Sequence, residues 1–187
     1  MEAFLVSTGI VALAEMGDKT QLLALVLAAR FRKPWPIVLG IFVSTIANHA
    51  MAGVLGAWVT TVISPQVLRW ILGASFIAMA VWMLIPDKLD DGETSDAPRF
   101  GVFGTTVLAF FLAEMGDKTQ IATVMLAARY QTWVWVVAGS TLGMMLANAP
   151  VVWLGSRVTR LVPLRVVHIV SALIFTLLGL LALLVPA

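Results

Sequence analysis

The chain has 187 residues, 60% of them hydrophobic and 12% charged, with a mean hydropathy of +0.98. Soluble domains sit nearer half apolar and a quarter charged, so this composition excludes an ordinary soluble enzyme and calls for an integral membrane protein. Twelve basic against ten acidic residues leave a net +2 with no basic face suited to nucleic acid, and the absence of cysteine removes disulfides and thiolate metal sites.

The opening Met1-Glu2-Ala3-Phe4 lacks the basic segment of a cleaved signal peptide, so the first apolar stretch is expected to be kept. Cutting at proline, glycine and charge clusters gives six candidate spans, at 4–29, 37–63, 67–85, 101–128, 132–154 and 166–185. Each reaches about 19 residues or more, enough to cross a hydrocarbon core of about 30 Å. Alternation of period 2 is absent and lipid leaves no partner for an open backbone, so the spans read as helices. Trp35, Trp70 and Trp133 fall near span starts, and Trp82 and Trp153 near span ends, as an interfacial aromatic belt would place them.

The polar linker 87–99 carries Asp87, Asp90, Asp91, Glu93 and Asp96 and reads as a solvated connector between halves 1–86 and 100–187. Eight basic residues (Arg30, Arg32, Lys33, Lys88, Arg99, Arg157, Arg160 and Arg165) fall on one predicted side, against Arg69 and Arg129 on the other. The bias places the linker in the cytoplasm and both termini outside.

A shift of 99 residues aligns the halves without a gap: the segment from Leu13 to Gln21 recurs unchanged from Leu112 to Gln120. Ala28-Ala29-Arg30 recurs as Ala127-Ala128-Arg129, Gly40 as Gly139, and Phe76 as Phe175. With three spans per half, the second copy enters from the opposite face. The expected fold is therefore all-α: a polytopic membrane protein of six transmembrane helices in two inverted three-helix repeats, a plan that secondary transporters use to build one midplane site.

Glu15, Asp18, Glu114 and Asp117 lie inside apolar spans, accompanied by Lys19 and Lys118. Six unpaired charges at the bilayer centre would cost on the order of 15–20 kcal/mol, so a compensating and functional arrangement is expected. On a continuous helix Glu15, Asp18 and Lys19 share one face, as do Glu114, Asp117 and Lys118. Gly17 and Gly116, inside the two motifs, permit local unwinding. If the spans meet at the midplane, four carboxylates converge, with Thr20, Gln21, Thr119 and Gln120 nearby. Clustered oxygens without thiolate suit hard cations such as Ca²⁺, Mg²⁺ or Mn²⁺. Four carboxylates less two lysines leave −2, the charge one divalent cation neutralises. Crowded, desolvated carboxylates also favour protonation when no metal is present, so metal and protons compete for the same oxygens. The bland counterpart is a fixed Glu–Lys clamp between helices, which leaves the aspartates without a task.

Asn48, His49 and Asn148 form a second tier, His49 aligning with Asn148 under the shift. Each serves equally well as an interhelical hydrogen bond or as part of the site. Pro150 predicts a kink, and Gly139 with Gly143 a small-residue packing stripe.

The doubled Glu-x-Gly-Asp-Lys-Thr motif, Glu15 to Thr20 and Glu114 to Thr119, resembles the signature of the Gdt family of cation/proton exchangers. That family includes Golgi calcium/manganese–proton exchangers and bacterial manganese exporters. The resemblance covers essentially the whole chain, and the Asn48-His49 and Ala147-Asn148-Ala149-Pro150 stretches also look like bacterial members. It implies Mn²⁺, with Ca²⁺ as a second candidate, moved against protons, with Glu15, Asp18, Glu114 and Asp117 carrying the ion. It further implies export across a bacterial inner membrane, with no resident cofactor and no catalytic reaction; a homo-oligomer is compatible with it.

Three other classes make different demands. A passive cation channel could use the same carboxylates but leaves an inverted repeat unexplained. An intramembrane aspartyl protease could use Asp18 and Asp117 as its dyad, yet Glu15 and Glu114 stand where its Gly-x-Gly-Asp pattern needs glycine. An exporter of small organic cations would need apolar room beside the acids.

Overall fold

A computed structural model describes residues 1–85, 100–155 and 164–184. The linker 87–99, with Lys88 and Arg99, and the basic residues Arg157 and Arg160 used to orient the chain lie outside the described residues. The described residues form eight helices and no strand: α1 (Glu2–Glu15), α2 (Lys19–Phe31), α3 (Pro34–Val62), α4 (Pro65–Trp82), α5 (Gly101–Glu114), α6 (Lys118–Tyr130), α7 (Trp133–Leu154) and α8 (Leu164–Leu184). Adding 99 to the bounds of α1 and α2 returns those of α5 and α6, and the first residues of α3 and α4 map onto those of α7 and α8.

Four helices are long and apolar enough to cross a membrane: α3, α4, α7 and most of α8. The first and fourth predicted spans are not single helices. Each is interrupted at its motif, leaving half-helices of 14 and 13 residues, about 20 Å apiece and too short to cross alone. Glu15, Asp18 and Lys19 therefore do not share a helical face, nor do Glu114, Asp117 and Lys118.

The other helix ends have local causes. α3 and α4 each begin with proline in the first turn, where the missing N–H has no partner to lose. α2 stops at Arg32 and α6 at Gln131, both left-handed at φ 52°, their N–H groups capping Ala28 O and Ala127 O. α7 runs through Pro150 as one continuous element; the proline removes the N–H that Leu146 O would otherwise accept, and the expected kink does not divide the helix.

In the most apolar windows of α3 and α7 half the residues are buried inside the protein, against a third in α4 and α8. α3 and α7 are thus central. α1 packs on α7 and, as its repeat mate, α5 packs on α3, while α4 pairs with α8 at the periphery. The stripe of small residues does what its spacing predicts. A Cβ on Gly139 would overlap the Phe4 carbonyl, one on Gly143 would lie 2.5 Å from Thr8 O, and one on Gly40 would lie 2.7 Å from Thr106 Cβ. Repeat-related Phe76 and Phe175 meet each other, ring centroids 6.1 Å apart, at the α4–α8 contact. The outer surface is apolar, with Trp35, Trp58, Trp70, Trp135 and many leucines exposed, as lipid contact requires and water does not tolerate.

Candidate metal centre

The two motifs break their helices in the same way. Met16 and Met115 leave the helix in extended conformation, at φ −65°, ψ 116° and φ −63°, ψ 119°. Gly17 and Gly116 follow at φ 82° and 75°, a region open to glycine and strained for other residues. Asp18 and Asp117 then restart the chain as the N-caps of α2 and α6. The partial positive charge of each new helix start faces a carboxylate, an arrangement that favours an anion there.

A break in a helix frees backbone groups that lipid cannot satisfy. Gln21 and Gln120 answer that need. Gly17 N donates to Gln21 Oε1 at 3.0 Å and Gly116 N to Gln120 Oε1 at 2.7 Å. The other ends of these amides reach the opposite repeat: Gln21 Nε2 donates to Ala147 O at 3.1 Å, and Gln120 Nε2 to Asn48 Oδ1 at 3.4 Å. Asn48 Nδ2 in turn donates to Phe111 O at 3.1 Å, a carbonyl freed where α5 ends. Gln21, Gln120 and Asn48 thus clasp the breaks and dock them on α7 and α3.

Glu15, Asp18, Glu114 and Asp117 are all buried. One carboxylate oxygen from each of Glu15, Asp18 and Asp117 lies within 4.8 Å of the others. Two oxygens on one Ca²⁺, each at 2.3–2.6 Å, stand at most about 5 Å apart, so this spacing fits a shared hard cation. The group draws on both halves of the chain. Glu114 stands beside it, with Glu15, Asp117 and Lys19 as its charged neighbours. Thr45 Oγ1 donates to Glu114 Oε1 at 3.4 Å, and His49 Nε2 lies 3.8 Å from Oε2. At the related position Asn148 Nδ2 donates to Glu15 Oε1 at 3.4 Å. Each motif glutamate is therefore held by the long central helix of the other half.

The breaks also take the lysines off the helical face they were expected to share with the acids. A Glu–Lys pair four residues apart needs a continuous helix, and the breaks remove it; Lys118 instead pairs across the repeats with Asp18, Nζ to Oδ1 at 3.7 Å. Thr20 and Thr119 are fully buried, and their hydroxyls have no hydrogen-bond partner among the described residues. Thr45 went unnoticed in the sequence, although with Asn48 and His49 it makes a polar stripe at helical spacing on an apolar helix. Met144, whose Sδ lies 3.0 Å from Asn148 Nδ2, carries no such signal.

An apolar helical bundle whose two broken helices bring acids into its interior belongs to the class of ion-translocating membrane proteins. The chain matches the family described as "Divalent cation/proton antiporter GDT1" over residues 3–91 and 102–186, and it belongs to that family of transporters. A Vibrio cholerae protein named "Putative manganese exporter" is 52% identical over 181 residues, covering 96% of this chain and 90% of the relative. A GDT1-like protein of Synechocystis is 27% identical over 197 residues, covering 95% and 94%. GDT1-like protein 3 of Oryza sativa is 27% identical over 201 residues, covering 93% and 71%. No solved structure matches.

Proposed function

We propose that this chain is a secondary active exchanger that exports Mn²⁺, with Ca²⁺ as the second candidate, in return for protons. The observation that carries the reading is the grouping of Glu15, Asp18 and Asp117 oxygens within 4.8 Å. Oxygen donors without thiolate favour a hard divalent ion, and the name of the Vibrio cholerae relative favours manganese among them. Glu15, Asp18 and Asp117 bind the cation directly, and Glu114 completes the set. Asn148, His49 and Thr45 orient the glutamates, while Gln21, Gln120 and Asn48 fix the breaks that aim the aspartates. Protons bind the same oxygens when the metal leaves, so one set of carboxylates serves both directions of exchange.

The two halves, 1–86 and 100–187, act in this reading as inverted repeats of three spans, each counting its broken helix as one. Alternating access arises as one half rocks against the other around the shared site. The termini face the periplasm and the linker 87–99 faces the cytoplasm of a bacterial inner membrane. Purified protein in proteoliposomes tests the reading. An imposed pH gradient drives Mn²⁺ uphill, and Mn²⁺ movement collapses that gradient. Mn²⁺ flux that ignores the gradient would mark a passive channel instead.

A further inference from the structure

The mechanism above gives the motif lysines no task, and the two are not equivalent. Lys118 is 2% exposed. Its Nζ lies 3.7 Å from Asp18 Oδ1 and 3.4 Å from the Ile85 carbonyl. Lys19, at the same place in the first motif, is only partly buried. The packing shares this asymmetry. α4, which leads into Ile85, packs on α6, which begins at Lys118; among the described residues no comparable packing joins their repeat mates, α8 and α2.

Asp18 is thus claimed twice, by an ammonium and by the grouping of carboxylates that fits a divalent cation. Two cations against one buried carboxylate repel each other strongly where water does not screen them. A second oxygen is available to the lysine. Ile85 ends the turn that follows α4, is exposed, and offers a carbonyl at the negative end of that helix. We propose that Lys118 is an internal stand-in for the transported cation: its ammonium, set between Asp18 and the Ile85 carbonyl, neutralises Asp18 before the metal binds, and gives up Asp18 while keeping the Ile85 carbonyl when the metal arrives. The inference rests on the proposed function and deepens it. Lys118 acts through Asp18 as a positioning residue, opposing tight metal binding and assisting release.

Lys118→Gln removes the competing charge while keeping a polar side chain of similar reach. In purified protein at fixed pH, Mn²⁺ followed by electron paramagnetic resonance binds Lys118→Gln about tenfold more tightly than wild type. In proteoliposomes the same variant shows a lower KM for Mn²⁺ together with a lower maximal rate. A lysine that only props the site open predicts weaker binding instead. Lys118→Arg keeps the charge and binds as wild type, whereas Lys19→Gln, at the more exposed position, changes affinity less. Unchanged or weakened Mn²⁺ binding in folded Lys118→Gln overturns the inference, as does equal tightening in Lys19→Gln.

Wild-type protein supplies a measurement that needs no variant. Acetylation of Lys118, quantified by mass spectrometry against Lys33, rises severalfold when Mn²⁺ is added; unchanged labelling overturns the displacement. If wild-type protein binds Mn²⁺ and exchanges it for protons, a negative result falls on Lys118 alone. A wild type that does neither removes the proposed function and this inference together.

Discussion

Asn148 Nδ2 donates a hydrogen bond to Glu15 Oε1 at 3.4 Å across 133 positions of chain. The contact crosses from the second half to the first; in the other direction Thr45 donates to Glu114 Oε1, with the related residue His49 3.8 Å from Oε2, beyond hydrogen-bond reach. A buried glutamate left without its orienting donor loses both a hydrogen bond and its aim. Hydrogen bonds to charged groups contribute about 1.5–3 kcal/mol, or about ten- to a hundredfold in an equilibrium constant. Asn148→Ala is expected to raise the KM for Mn²⁺ by at least about tenfold, measured as initial flux into proteoliposomes, with folded protein still recovered by size-exclusion chromatography.

The breaks at Gly17 and Gly116 depend on φ values of 82° and 75°. A side chain there costs about 1–2 kcal/mol even where space is free, as it is around Gly116. Gly17→Ala and Gly116→Ala are each expected to lower the midpoint of thermal unfolding and to reduce Mn²⁺ transport severalfold, because the aspartates lose their aim. Gly9 lies within α1 with open space around it, so Gly9→Ala is the control and leaves transport at the wild-type level.

Gly139 and Gly143 let α7 approach the backbone of α1. Overpacking of this kind typically costs about 1–3 kcal/mol. Gly139→Leu is expected to separate the two helices, lower thermal stability and weaken Mn²⁺ binding through displaced Glu15. Thermal unfolding in detergent, followed by tryptophan fluorescence, checks the first effect and equilibrium binding checks the second.

Protons and metal share oxygens in this account, which fixes the sign of the pH dependence. Lowering the pH fills the carboxylates with protons and weakens metal binding; raising it strengthens binding until the carboxylates are fully ionised. Within the titrating range each displaced proton changes apparent Mn²⁺ affinity by about tenfold per pH unit. Binding isotherms at several pH values give the slope, and a flat profile would separate proton transport from this site.

Much of the architecture was legible in the letters. The shift of 99 residues predicted the repeat of helix bounds, and hydropathy located α3, α4, α7 and α8 to within a few residues. The glycine stripe at Gly139 and Gly143 announced a close helix contact because only small residues let backbones approach. The breaks were legible only as permission. Gly17 allows unwinding, but the clasp on the break is completed by a contact that sequence spacing does not display, Gln21 reaching Ala147 O far along the chain. The lysine pairing was hidden for the same reason. An i, i+4 Glu–Lys pair is the local solution, whereas Lys118 finds Asp18 through a tertiary contact. Thr45 was hidden because a threonine in an apolar helix ordinarily bonds its own backbone, and its partner Glu114 lies 69 positions away.

Asp18 and Asp117, from opposite halves of the chain, are proposed to hold one cation jointly. Mn²⁺ binding stoichiometry in purified wild type, Asp18→Asn and Asp117→Asn measures this most directly. The expected result is one Mn²⁺ per wild-type chain and loss of that binding in either variant alone. Two equivalent ions per wild-type chain, with each variant keeping one, would contradict it.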